Sequence, residues 1–249
     1  AFIFGSIWGS FSNVCIHRMP YNISVVKGRS YCPSCNKLIR WFDNIPLLSF
    51  IILKAKCRNC SAQIDLNYFI VELISALNFV LIFYLFGFSL TTILFFILSI
   101  CFIIIIFIDM KHFIIPNELT FTLMVVGFIK SFDPYLNQYL FPNYLDSLIG
   151  GVIGYSIIWF IIFAYKKLRN KEGMGLGDAK LLSAIGFWFG WISIPFILFL
   201  SSFIALIFAV PGLLNKSKNM SSQIPFGPYI ILGCVMYLLL LEQIIKYLN

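Results

Sequence analysis

The sequence predicts an all-α polytopic membrane protein, with about eight transmembrane helices and a small cytoplasmic loop domain resembling a zinc ribbon. Three observations predict it. Hydrophobic residues make up 60% of the 249-residue chain and charged residues only 11%, against roughly 25% charged in an ordinary soluble domain. The apolar residues recur in runs long enough to cross a bilayer, almost to the last residue. All but Lys130 and Lys246 of the 18 Lys and Arg fall in alternate loops. With 28 Phe besides, a water-soluble fold could not hide so much apolar surface, so a soluble enzyme and a disordered regulator are excluded.

The apolar stretches run over 1–16, 67–88, 90–108, 115–132, 147–165, 181–194, 195–214 and 226–247. Trp188, Trp191 and Pro195 mark an interfacial turn between the sixth and seventh. Eight spans put segments 17–66, 109–114, 166–180 and 215–225 on one side, and these hold the basic residues. The positive-inside rule makes that side cytoplasmic and puts both termini outside. Anionic lipid headgroups are a secondary partner for these loops. The chain opens at Ala1 on a run short for a span, so some N-terminal residues are expected to be missing. The chain shows no internal repeat. It divides into a first transmembrane helix (1–16), a cytoplasmic tetracysteine loop domain (17–66) and a membrane domain (67–249).

Several chemistries are absent. There is no HExxH helix, no GxSxG elbow and no phosphate-binding GxxxxGK loop. Only His17 and His112 could serve a triad. The basic loops lack the aromatic interleaving of a nucleic-acid surface, so no nucleic-acid partner is expected. Thiolates and carboxylates remain.

Cys32-Pro33-Ser34-Cys35 and Cys57-Arg58-Asn59-Cys60 form two CxxC pairs in the long polar segment. Each pair can turn two thiolates onto one metal, and two pairs complete a closed four-cysteine site, structural and not catalytic. Disulfides and thioredoxin-like redox chemistry compete with zinc. A reducing cytoplasmic loop and the lack of a βαβ unit disfavour them. Cys15, Cys101 and Cys234 sit in apolar runs and read as small buried hydrophobes.

Asp109 ends the apolar run 102–108, and Asp178 lies in Gly175-Leu176-Gly177-Asp178-Ala179-Lys180, directly before another apolar run. Carboxylates at membrane depth are functional candidates. Two that share a site cannot both ionise easily, so one can activate water while the other polarises a peptide carbonyl. The bland alternative makes Asp178 a helix N-terminal charge and Asp109 the end of a span. Gly175 and Gly177 would permit unusual backbone angles or close approach.

These residues together resemble the type IV prepilin peptidase family, the GxGD intramembrane aspartyl proteases also called leader peptidase/N-methyltransferase. The likeness covers nearly the whole chain. Gly9-Ser10-Phe11-Ser12-Asn13-Val14 through Arg18-Met19-Pro20 is similar to the family's opening segment. Residues 29–35 and 41–49 resemble its cytoplasmic loop, CxxC pairs included. Glu72 matches an early glutamate of the second span. Asp109 with Ile115-Pro116-Asn117, residues 175–181, and Ile224-Pro225-Phe226-Gly227-Pro228 match its later segments.

The resemblance implies cleavage of prepilin and pseudopilin leaders of pilus, type II secretion or competence systems, at the cytoplasmic face of a bacterial inner membrane. Asp109 and Asp178 would be catalytic. It also implies N-methylation of the new N-terminus with S-adenosylmethionine. Lys180 would steady a carboxylate, contact substrate, or simply anchor the topology. Glu72 would lie near methyl transfer or pair with loop cations. The family commonly has Gly where this chain has Ala55, which bears on methyl transfer. Two alternatives stand beside this reading. One is a cleavage-only protease like archaeal preflagellin peptidases. The other is a non-enzymatic scaffold or transporter with a zinc loop.

Overall fold

The computed structural model describes residues 1–136, 141–169, 175–214 and 224–248. Lys171, Lys216 and Lys218, counted above among the cytoplasmic cations, lie outside the described residues, as do Gly173 and Met174. The described residues are helical, with isolated β-bridges and no strand ladder. Nine α-helices are described: α1 Phe2–Arg18, α2 Leu48–Ile52, α3 Leu66–Phe86, α4 Leu90–His112, α5 Asn117–Lys130, α6 Tyr144–Arg169, α7 Leu176–Phe189, α8 Ser193–Leu214 and α9 Gly227–Leu248. All but the short α2 overlie the apolar stretches read from the sequence. Among the described residues α3, α4 and α6 are long and apolar enough to cross a membrane, and Ser193–Ala209 and Gly227–Leu240 are shorter apolar helices. Phe199, Phe203, Leu206 and Ile207 on α8 are more than half exposed. Such a face suits hydrocarbon, where the backbone is satisfied within the helix.

The chain forms two compact units, 1–107 and 108–249, divided within α4. In the first, α1 lies against α3 along Gly5 and Gly9. A Cβ on Gly9 would stand 2.7 Å from the Glu72 Cα, and one on Gly5 2.8 Å from the Ala76 Cα. Lipid gives helices no hydrophobic reason to associate, so close backbone approach supplies the contact. Asn13 fixes the register by donating to the Tyr68 carbonyl at 3.0 Å. Phe79 of α3 stacks on Phe96 of α4 with centroids 3.8 Å apart. At the end of α1, buried Arg18 gathers the following loop by donating to the carbonyls of Ser24 and Lys27.

In the second unit α7 is the centre. Ala179, Leu181, Leu182, Ala184, Ile185 and Trp188 are fully buried, so the helix is apolar all round because neighbours cover it all round. Gly150 of α6 meets Gly186 of α7 backbone to backbone, and Gly151 faces the Phe187 ring. Trp188 Nε1 donates to the Leu123 carbonyl at 2.8 Å, across from Gly127 of α5. The helix begins at Leu176, so Asp178 stands inside its first turn instead of ahead of it. It ends at Gly190, whose φ of 78° only glycine adopts without strain.

Between α2 and the second CxxC pair, Lys54 and Ala55 both take left-handed angles, φ 50° and 57°. Ala55 therefore carries strain that Gly would not. Ala55→Gly is expected to raise the stability of the detergent-solubilised protein by about 0.5–1 kcal/mol, the relieved strain less the added freedom of the unfolded chain. Thermal unfolding of the two proteins side by side measures it; a lowered midpoint would contradict the backbone geometry.

Candidate functional site

The second unit brings the two aspartates together. Asp109 lies in the last turn of α4 and is 4% exposed; Asp178 lies in the first turn of α7 and is 8% exposed. They are close enough for the charge of Asp109 to act on Asp178. Each is met by a helix N-terminus. Asp178 is the third residue of α7, and its carboxylate reaches back to the Gly175 N–H, half of a capping box. Asp109 Oδ2 accepts the Gly227 N–H at 3.0 Å, where α9 begins. Both carboxylates thus take N–H groups that a helix leaves unpaired.

The chain reaches this arrangement through tight local turns. Phe113 ends α4 at φ 57°, its N–H donating to the Asp109 carbonyl at 2.9 Å. That turn leads into Ile115, whose side chain fills the space between two glycines. A Cβ on Gly177 would lie 3.0 Å from Ile115 Cβ. One on Gly227 would lie 2.7 Å from Asp109 Oδ2 and 3.1 Å from Ile115 Cδ1. Close approach therefore explains Gly177. Gly175 needs neither close approach nor an unusual angle: it is extended, and a Cβ there meets only ordinary contacts. Lys180 Nζ donates to Asn117 Oδ1 at 2.7 Å and not to a carboxylate, tying the start of α7 to the start of α5. Gly227 is the residue the sequence reading did not single out. Its motif was visible, but its contact joins residues 118 apart.

In the first unit the four cysteines form a second cluster. The sulfurs of Cys32, Cys35, Cys57 and Cys60 all lie within 4.8 Å of one another, with Cys32 and Cys60 3.8 Å apart. Tetrahedral zinc with Zn–S of about 2.3 Å requires sulfurs about 3.8 Å apart, so the donor set fits. The backbone repeats around it. Cys32 N–H donates to the Lys37 carbonyl and Asn36 N–H to the Cys32 carbonyl. Cys57 N–H donates to the Ala62 carbonyl and Ser61 N–H to the Cys57 carbonyl. Asn36 and Ser61 share a left-handed φ. Residues 31–39 and 56–64 are thus two copies of one knuckle, an internal repeat that the sequence reading did not find. The Cys35 backbone N–H leads in pulling the Cys32 thiol down to about 6. Cys60 stands at about 11: the Ala62 N–H pulls it down, but burial and the three neighbouring thiols push it up. Four cysteines this close could hold a metal ion, which would draw them into the thiolate form.

Behind the knuckles a cavity of about 320 Å³ is walled by loop residues and the inner parts of α1 and α3. Its lining includes Ser10, Arg18, Asp43, Asn44, Tyr68 and Glu72. Glu72 Oε2 accepts the Leu47 N–H at 2.8 Å in a buried contact, so its partner is loop backbone and not a loop cation. Asp43 makes a bidentate pair with Arg58 of the second knuckle. The volume lies within the range of small-ligand sites.

Known proteins resemble both units. Residues 3–86 match the model of the bacterial peptidase A24 N-terminal domain, and residues 96–210 that of the type IV leader peptidase family. Curated relatives carry the name prepilin leader peptidase/N-methyltransferase. The Aeromonas salmonicida (strain A449) protein is 35% identical, covering 93% of this chain and 87% of its own length. That of Pseudomonas aeruginosa is 33% identical over 98% of this chain and 90% of its own, and that of Vibrio cholerae 36% over 92% and 91%. No solved structure matches.

Gly227→Ala would place a methyl group against Asp109 Oδ2. Were Asp109 one of the reacting groups, displacing its carboxylate by such an amount would lower peptide cleavage on the order of a hundredfold. Rates of the purified variant on a prepilin measure this, and an unchanged rate would mean that Asp109 does not react from this position.

Proposed function

This chain belongs to the type IV leader peptidase family, and on that premise we propose that it removes the leader of prepilins and pseudopilins and then methylates the new N-terminus. The paired aspartates carry the reading. Two buried carboxylates within reach of each other's charge, Asp109 and Asp178, are the equipment of an aspartyl protease. One carboxylate takes a proton from water, and the other, protonated, polarises the scissile carbonyl. The water oxygen attacks the carbonyl carbon, the C–N bond breaks, and the leaving amine takes a proton from the pair. Substrate enters unwound, because a helical peptide carbonyl is already bonded.

The distribution of charge supports a location. We place the protein in the bacterial inner membrane with eight spans and both aspartates at the cytoplasmic face. Lys111 follows Asp109 closely and Lys180 follows Asp178, as positive-inside placement requires. A prepilin presents its basic leader and cleavage site on that face.

The four cysteines would hold zinc as a structural ion, with no open position for catalysis. S-adenosylmethionine would supply a methyl group from its sulfonium, leaving S-adenosylhomocysteine as product. The cavity of the first unit is where this chain offers it a site, with Arg18 for its carboxylate, Tyr68 for its adenine, and Asp43 as the acidic wall. These residues would bind and orient it while the new amine, once deprotonated, attacks.

A prepilin from the same organism, incubated with the purified protein and S-adenosylmethionine, is expected to lose its leader and gain one methyl group by mass spectrometry. Asp109→Asn and Asp178→Asn should each leave it intact. An untouched substrate with the unaltered protein would reject the protease reading in favour of a scaffold or transporter, and leader loss without a methyl would reject the second activity.

Metal analysis of freshly purified protein should find a single zinc per chain. Cys57→Ser should reduce it and loosen residues 31–64 to proteolysis. A metal-free, protease-resistant loop would overturn the zinc assignment.

A further inference from the structure

The Glu72–Leu47 bond sits on an unusual piece of backbone. Leu47 has φ 61° and ψ −50°. The Leu48 N–H donates to the Pro46 carbonyl at 2.7 Å, across one residue. Together these make a γ-turn of the rare, strained kind, with a branched side chain where glycine would be at ease. Strain of this sort persists only when the surroundings hold it. The restraint here is the carboxylate of Glu72, buried in α3, which accepts the N–H of the strained residue itself. Ser10 of α1 bonds the same carboxylate. Glu72 is thus engaged by the protein from two sides.

The turn lies at the middle of one cavity wall. Asp43, Asn44 and Ile45 precede it, Ser49 and Phe50 follow it, and all five line the cavity together with Glu72. Without its acceptor, the buried Leu47 N–H would be orphaned, and the turn would relax toward ordinary angles. The wall would move with it.

We propose that Glu72 is a positioning residue: it latches the strained Pro46–Leu47–Leu48 turn against α3 and so holds the cavity in the shape that binds S-adenosylmethionine. The proposal rests on the methyl-transfer reading given above. It assigns Glu72 a role through the wall and not on the reacting atoms.

The test is calorimetric binding of S-adenosylhomocysteine to the full-length chain in nanodiscs, with hydrogen exchange of residues 45–53 and zinc content measured on the same samples. Glu72→Ala is expected to weaken binding on the order of tenfold or more and to speed exchange of 45–53. Glu72→Gln keeps an oxygen acceptor and should retain most of the affinity. Leu47→Gly relieves the strain, so adding it to Glu72→Ala should recover part of the loss. Zinc content and leader cleavage report that the variants fold, and cleavage should fall far less than affinity.

Equal loss in Glu72→Gln and Glu72→Ala, with slow exchange in both, would overturn the latch and make the charge itself the ligand contact. Binding that Glu72→Ala leaves unchanged would also overturn it, while leaving the methyl-transfer reading standing. An unaltered protein that neither binds S-adenosylhomocysteine nor methylates a cleaved prepilin would remove that reading, and the latch with it.

Discussion

Close approach of helix backbones is the constraint on which the second unit depends. Inside a bilayer, side chains gain nothing by leaving lipid for protein, so association rests on packing and hydrogen bonds. Gly150 against Gly186 brings the backbones of α6 and α7 so close that a Cβ at either would clash. Gly127 opens the space that the Trp188 indole fills, and the indole then bonds the Leu123 carbonyl. The ends of α7 are fixed as well. Asp178 faces its N-terminus, and Lys130, 4% exposed, donates to the Trp188 carbonyl near its C-terminus while lying 3.8 Å from the Phe141 ring centre. Both charges complement the helix dipole. A helix of 14 residues pinned along its sides and at both ends has one position. Asp178 inherits it.

Much of this was legible in the chain itself. Every long helix overlies an apolar stretch, because hydrocarbon demands continuous apolar sequence and leaves a one-dimensional trace. The four-cysteine cluster was legible because its two CxxC pairs have the fixed local spacing that suits a metal site. The GxGD segment announced Asp178 for a similar reason: the glycine, the acid and the helix start are neighbours in sequence. Contacts between distant segments leave no such trace. Gly227 touches Asp109 across 118 residues, and nothing local to either residue says so. Lys130 stood out in the sequence only as one of two cations outside the basic loops, yet it is buried against a carbonyl and two rings. The limits of α7 shifted for another reason. Its first turn is polar because it carries Asp178, so an apolar window starts late.

The knuckle repeat escaped notice because it is a repeat of backbone and not of side chains. Beyond the cysteines, residues 31–39 and 56–64 share little, with Pro33-Ser34 facing Arg58-Asn59. The two left-handed residues, Asn36 and Ser61, differ in type as well. The geometry brings two sulfurs of a CxxC pair toward one point, and many sequences meet it. The loop between the knuckles has a different source of order. Lys54, Ala55 and Leu47 all take positive φ without being glycine. A chain that holds three such residues within one short segment has its conformation imposed from outside. The sources are the buried Glu72 carboxylate, the bidentate Arg58–Asp43 pair and the knuckles. Local propensity opposes this loop, and tertiary contact makes it.

The surroundings of the aspartates solve a problem that a simple ion pair would create. The two-carboxylate chemistry proposed for this pair needs one proton on it. A lysine in contact with either acid would favour the charged form of both and remove that proton. Yet lysines follow both residues closely in sequence, Lys111 after Asp109 and Lys180 after Asp178. Lys180 is held off by Asn117, whose amide oxygen accepts its ammonium at 2.7 Å. What reaches the carboxylates instead is backbone: the Gly227 N–H at the start of α9 and the Gly175 N–H at the start of α7. Helix N-termini bring about half a positive charge each. That supports one negative charge in a dry site without requiring two. The glycines belong to the same solution, since Gly227 can offer its N–H at 3.0 Å only because no Cβ stands in front of the carboxylate.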